Sequence, residues 1–166
     1  MKLKVQELNA ESFAQFGQVC VAPPKIKPGH SCDEFDWWPD MMVFDSIKGQ
    51  YGAGFSVAKK SPFRQTCSER HMETPEFLLA VDGDMVVIVG PPDYPDEPAR
   101  LPDLSRFAAF KVKAGEAILM KQGVWHYAAM PLKEEMYMYC IFAKGTSDKD
   151  NRVIDFPAGE VLELEM

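Results

Sequence analysis

The chain has 166 residues, with 25 acidic against 18 basic side chains and a formal charge of −7. A chain of this length, read as one domain over residues 1–166, buries about two-thirds of its unfolded surface without needing a disulfide or a structural metal. Acidity without any Lys/Arg cluster argues against a nucleic acid or an anionic membrane as partner, since both attract concentrated positive charge, and no run of about 18 apolar residues is present to span a bilayer.

Residues 1–8 alternate polar and apolar side chains, the period of a half-buried strand. Asn9 is placed to cap a short helix over residues 10–15, which Gly17 ends. Residues 18–22 read as a strand stopped by Pro23-Pro24. Residues 25–39 carry Pro, Gly, Asp and the pair Trp37-Trp38 and read as an ordered irregular segment, in which His30 and Cys32 are loop residues rather than ligands. Residues 41–45, 51–59 and 63–69 read as strands, with Gly52 and Gly54 marking a bulge or close backbone approach in the middle one. Residues 77–81 and 85–89 flank Asp82-Gly83, a strong short hairpin signal, and are expected to pair. The Pro-rich run 91–102 is a loop, expected over the mouth of the fold. Asp103 caps a turn through Ser105-Arg106. Residues 107–112, 117–121, 125–131 and 137–143 read as strands, and residues 152–164 add one more.

Many short β runs separated by turn signals, with almost no helical periodicity, predict an all-β sandwich or barrel. Phe110, Val112, Ile118, Tyr137, Tyr139 and Ile141 are expected to fill or flank its core, and Trp125 to pack on the strand face opposite His126. Cys20, Cys32, Cys67 and Cys140 are scattered without a Cys-x-x-Cys pair. With an N-terminus that lacks an apolar leader, they read as reduced thiols of a cytoplasmic protein.

Potential ligands gather in two segments, Glu69-Arg70-His71 with Glu76, and Gly115 through Gly123-Val124-Trp125-His126. Residues two apart on a strand face the same way, so Glu69 and His71 can enter a barrel interior together. Gly123 supplies a turn that returns the chain and brings His126 beside them. Two imidazoles with one or two carboxylates suit a divalent first-row ion such as Mn, Fe, Ni or Zn. Carboxylates buried there without a cation or proton would carry a large desolvation cost.

The two segments resemble the double signature of the cupin superfamily: His-x-His, a Glu four or five residues on and a Gly after six more, then Gly, five residues, Pro-x-Gly, two residues and His. Glu69 stands at the first His and Lys121 at the Pro, while His71, Glu76, Gly83, Gly115, Gly123 and His126 fit. Within the cupins, residues 1–8, Phe13-Ala14-Gln15-Phe16-Gly17, Glu69-Arg70-His71, Pro91-Pro92 and Gly123-Val124-Trp125-His126 resemble the ureidoglycolate lyase family, over residues 1 to about 132. Glu76 replaces that family's usual Gln, Tyr127-Ala128 replaces His-Pro, and Gly54-Phe55-Ser56 stands where members carry an Arg.

The resemblance implies a double-stranded β-helix (jelly-roll) barrel with a short N-terminal helix. It also implies a carbon–nitrogen lyase releasing urea and glyoxylate from ureidoglycolate, as in allantoin breakdown. Carried onto this chain, the catalytic residues are Glu69, His71 and His126, with Glu69 as base. The metal ligands are His71, Glu76 and His126. Lys121 and Tyr127, where the chain departs from the pattern, are expected from their own chemistry as donors to the leaving group or the carboxylate. It further implies a homodimer, with Trp37 and Trp38 as its anchors or as the lid of the pocket. The alternative is a metal-dependent or non-catalytic cupin that binds another small polar carboxylate.

Overall fold

A computed structural model describes residues 1–45 and 49–166. The strands are β1 (Lys2–Glu7), β2 (Gly17–Cys20), β3 (His30–Ser31), β4 (Asp36–Trp37), β5 (Tyr51–Lys59), β6 (Arg64–Gln65), β7 (Cys67–Arg70) and β8 (Glu76–Ala80). They continue with β9 (Met85–Val89), β10 (Ala108–Val112), β11 (Ala117–Met120), β12 (Met130–Pro131), β13 (Glu135–Ala143), β14 (Arg152–Asp155) and β15 (Leu162–Glu165). Two short helices, α1 (Ala10–Phe13) and α2 (Thr146–Lys149), and one 3-10 turn (Leu104–Arg106) interrupt them.

The expected all-β cupin-type jelly roll is the architecture found. A sheet ordered β12-β9-β10-β1-β15-β6 faces one ordered β2-β11-β8-β13-β5, with the small pairs β14-β7 and β3-β4 outside them. β9 shows why the sheets pack: all five of its residues are buried. Side chains alternate along a strand, so Met85, Val87 and Val89 enter the core between the sheets with Phe13, Phe16, Phe110, Val112, Ile118 and Met136. Val86 and Ile88 enter a second core with Leu3, Phe107, Trp125, Phe156 and Leu162. Each such side chain contributes about 1.5–3 kcal/mol when fully buried.

Local expectations held at both caps. The Asn9 carboxamide oxygen accepts from Ser12 N–H at 2.9 Å at the start of α1, and Asp103 accepts from Ser105 N–H at 2.8 Å. β5 has the expected bounds, and all four cysteines are free thiols. His30 and Cys32 are exposed loop-hairpin residues, with the His30 ring against Phe35. No helix among the described residues is long and apolar enough to cross a membrane.

Several expectations are corrected. β8 and β9 do not pair: β8 lies between β11 and β13, while β9 lies between β10 and β12. Asp82-Gly83 therefore crosses from one sheet to the other, and Gly83 is not among the left-handed glycines that a primed hairpin turn would require. The Asp82 carboxylate holds this arch by accepting from Lys133 at 2.7 Å and from Tyr137 N–H at 2.8 Å.

Residues 41–45 form no strand. The Gln18 side-chain amide bonds both the N–H and the carbonyl of Val43, so a side chain takes the place of a strand partner. Residues 63–69 split into β6 and β7 at Thr66, whose carbonyl accepts from Phe156 N–H. The segment 125–131 makes only single bridges at Trp125 and His126 before β12, and 152–164 yields two strands rather than one. Helix α2 was not foreseen.

Phe110, Val112 and Ile118 are fully buried as expected, and Ile141 is half-buried. Tyr137 and Tyr139 are instead 41% and 45% exposed on the outer face of β13, where Phe55 of β5 packs on both rings.

Candidate active site and metal centre

The two signature segments are stitched to each other by backbone. Glu69 N–H donates to the His126 carbonyl at 2.6 Å and His126 N–H donates to the Glu69 carbonyl at 2.8 Å, an antiparallel bridge. Gly123, held at φ +76, donates its N–H to the His71 carbonyl at 2.7 Å. The buried Ser68 hydroxyl adds a bond to the His126 carbonyl at 2.9 Å. Alternation along β7 then sends Glu69 and His71 to one side and Arg70 to the other.

On the site side, Glu76 Oε2 lies 2.7 Å from His126 Nε2 and 3.4 Å from His71 Nε2, and Glu69 Oε1 lies 4.0 Å from His126 Nε2. Both imidazoles are oriented from behind. His71 Nδ1 is 2.6 Å from the Asp150 carbonyl and His126 Nδ1 is 2.9 Å from the Val124 carbonyl. A carbonyl only accepts, so each Nδ1 carries hydrogen and each Nε2 is left to hold a proton or a cation. Asp150 also fixes the following turn, its carboxylate accepting from Met72 N–H at 2.8 Å and Glu73 N–H at 2.7 Å.

These donors fit a divalent ion. Glu69, His71 and His126 present ligand atoms within 4.8 Å of one another, and Glu76 reaches both imidazoles. Ligands about 2.1 Å from a common centre lie roughly 3–4 Å apart, close to the 2.7, 3.4 and 4.0 Å separations among these atoms. Although close, His126 Nε2 and Glu76 Oε2 do not align as a hydrogen bond, and both are buried without another partner. That pair of orphaned atoms is what a cation between them would satisfy.

Without a metal, the cation is a proton. Burial by itself would push His126 down, but the Glu76 carboxylate outweighs it and raises the imidazole to about 9. Burial would raise Glu76, but His126 and then His71 draw it down to about 2. The histidine contribution to stability is therefore complete below its ordinary 6.5 and lost as pH rises through about 9. The carboxylate contribution is present above 4.5 and lost as pH falls through about 2. A metal must displace the His126 proton, so the gap in melting temperature between metal-loaded and metal-free protein is expected to widen from pH 6.5 to 9. Calorimetry at several pH values checks this, and a gap that stays constant would show that proton and metal do not share the site.

A cavity of about 700 Å³ opens onto Glu69, Glu76, His126, Tyr127, Ser56 and Arg64. Tyr127 is thus brought to the site. Neighbouring Cys67, then burial and Glu69, hold its phenol above the usual range, so it keeps its proton at neutral pH. Lys121 is not brought there: its ammonium donates to the Ala14 carbonyl at 2.7 Å and it does not line the cavity. The loop 91–102 is not over the cavity either. It wraps Arg70 on the far side of β7, where the guanidinium donates to the carbonyls of Asp93, Tyr94, Glu97 and Pro98. Trp125 is buried on that same side, its ring 4.4 Å from the Arg70 guanidinium carbon. Sequence reasoning missed Asp150, Ser68 and Arg64. Asp150 lies in the polar run Ser147-Asp148-Lys149-Asp150-Asn151, which carries no signal beyond a solvated turn.

The description of the ureidoglycolate lyase family matches residues 1–162. No curated protein sequence matches. Among solved structures, the chain is similar to dTDP-4-dehydrorhamnose 3,5-epimerase of Bacillus anthracis, at 7% identity and TM-score 0.47, covering 72% of this chain and 63% of that one. It is also similar to RmlC of Streptococcus suis, at 12% identity and TM-score 0.41, covering 57% and 44%. The oxalate decarboxylase of Lactobacillus farciminis gives 15% identity and TM-score 0.43, covering 64% and 26%. The chain spans less than two-thirds of the length of each.

Proposed function

The chain belongs to the ureidoglycolate lyase family, and from that membership we propose that it splits ureidoglycolate, or a closely related hydroxy-ureido acid, into glyoxylate and urea. The observation that carries this reading is the cavity wall, where the Glu69 and Glu76 carboxylates stand beside the His126 imidazole, with the His71 imidazole reaching Glu76 from behind. We read residues 1–166 as one domain.

Glu69 takes the proton of the substrate hydroxyl. The oxygen's electron pair then forms the aldehyde as the carbon–nitrogen bond breaks, and the departing urea nitrogen takes a proton from Tyr127. Solvent returns both side chains to their starting states. Glu76 keeps the two imidazoles in register, and Asp150 keeps the turn behind His71 closed. His71 and His126, with Glu76 or Glu69, would hold a divalent ion such as Mn, Fe, Ni or Zn. When bound, that ion supplies Lewis-acid polarisation of the substrate's oxygens.

The test is release of glyoxylate and urea, in equal amounts, from ureidoglycolate by protein purified with each metal in turn. Turnover no faster than the uncatalysed reaction with every metal would remove the lyase reading and favour a cupin that binds a different small carboxylate. Metal content of wild type and His126→Ala is measured alongside, with about one ion per chain expected in the wild type and a large loss in the variant.

We also read the protein as a homodimer. Phe55, Val57, Tyr137 and Tyr139 form an exposed apolar strip on the outer sheet, and Phe35 and Trp37 stand 53% and 58% exposed on the β3-β4 hairpin. Such patches mark interaction surfaces, and closed two-fold dimers are the commonest soluble assembly. Light scattering is expected to give twice the 18.7 kDa chain mass. Monomer mass at micromolar concentration would dispose of the dimer.

A further inference from the structure

Resting on the lyase reading above, we propose that Arg64 anchors the substrate's carboxylate, with Lys59 adding positive charge at the same rim, so that the site takes small monoanionic hydroxy acids carboxylate-outward. Placement comes first. In β6 the side chain of Gln65 is buried, 3% exposed, and the neighbouring position turns the other way. Arg64 is exposed and lines the cavity with Ser56, Thr66, Glu69 and Tyr127. Lys59, at the end of β5, lines it as well.

Availability comes second. Among the described residues, neither Arg64 nor Lys59 has a carboxylate within ion-pair distance. Other cations of the chain are engaged: Lys60 with Glu134, Arg100 with Glu97, Arg106 with Asp93 and Lys133 with Asp82.

Electrostatics gives the direction. The floor of the cavity holds the carboxylates of Glu69 and Glu76 in a chain of net charge −7, so an entering monoanion is repelled unless positive charge offsets the field along its path. The Glu69 carboxylate disfavours a second carboxylate beside it, and the unpaired guanidinium at the rim offers the planar, bidentate geometry that a carboxylate accepts. With that end held, the carbon bearing hydroxyl and ureido groups is directed down toward Glu69 and Tyr127. Arg64 thereby supplies from β6 a guanidinium that the Ser56 position of β5, facing the same cavity, does not.

The probe is hydantoate, which has the carboxylate and ureido groups but no hydroxyl to react, compared with its uncharged primary amide by titration calorimetry. Wild type is expected to bind the acid at least tenfold more tightly than the amide. Arg64→Gln is expected to weaken the acid by about ten- to a hundredfold, the range of a charge-assisted bidentate contact, and to leave the amide unchanged. Lys59→Gln weakens the acid by a smaller factor, and Arg64→Lys recovers part of the loss. Both positions are exposed, so unchanged thermal melting confirms that folding is intact.

Equal binding of acid and amide by wild type, binding of neither, or unchanged acid binding in Arg64→Gln each overturns the anchor. Loss of the acid preference in a protein that releases no glyoxylate keeps the anchor and removes the lyase reading. Turnover with an unchanged KM in Arg64→Gln keeps the lyase and removes the anchor.

Discussion

Glu69→Gln lowers kcat on ureidoglycolate by about a hundred- to ten-thousandfold, the usual contribution of a positioned general base, while KM changes far less. The carboxamide keeps the size of the side chain and its ability to bond but cannot accept a proton. The backbone of Glu69 stays paired to His126 through both of its hydrogen bonds, so the strand bridge survives the substitution. The Glu69 carboxylate is 20% exposed and lines the cavity, within reach of a ligand, whereas Glu76 is enclosed by the two imidazoles. Glu69 also stands among the potential metal ligands, so metal content is measured with the rate. A slow variant with full metal content identifies the base, whereas a rate loss that parallels metal loss assigns Glu69 to the ion. A kcat within threefold of wild type would move the base elsewhere, with Tyr127 the next group to examine.

Arg70→Ala is expected to cost about 3–5 kcal/mol of stability, since several carbonyls lose their donor at about 1–3 kcal/mol for each one left buried and unsatisfied, and to lower the melting temperature by roughly 10 °C. The Arg70 side chain is fully buried, and its guanidinium is neutralised by no carboxylate but by four carbonyl dipoles and the face of Trp125. Removing it leaves those carbonyls without donors and a void beneath the loop 91–102. Arg70→Lys is expected to recover only part of the loss, since one ammonium cannot reproduce the planar fork that spans four acceptors. A melting temperature within about 2 °C of wild type in Arg70→Ala would mean that the loop rehydrates freely and that the clamp adds little. Because Arg70 sits between Glu69 and His71, activity is expected to fall as well, with the loss larger at temperatures near the lowered transition.

How much of this was legible beforehand depended on whether a signal was local. Glu69 and His71 had to share a side because they are two apart on a strand, and a left-handed Gly123 had to turn the chain before His126. The caps at Asn9 and Asp103 needed only a side chain within three residues of its acceptor's partner. Those features belong to the sequence by itself, since covalent geometry and alternation leave them little choice.

Which strand pairs with which was decided by tertiary structure. Asp82-Gly83 offers a hairpin turn, but two apolar strands gain more by entering different sheets, where β9 buries both of its faces. The same ambiguity misplaced Tyr137 and Tyr139. Alternation sets them on one face of β13 with Met136 and Met138 on the other, and both faces are apolar. Only packing against Met120, Phe110 and their neighbours put the methionine face inside. Asp150 and Arg64 were invisible for a related reason: each acts on a segment distant in the chain, Asp150 on residues 71–73 and Arg64 on the cavity lined by β5 and Tyr127. A polar residue in a turn carries no mark of what the fold will bring against it, because that encounter is set by the free energy of the whole core and not by its own neighbours.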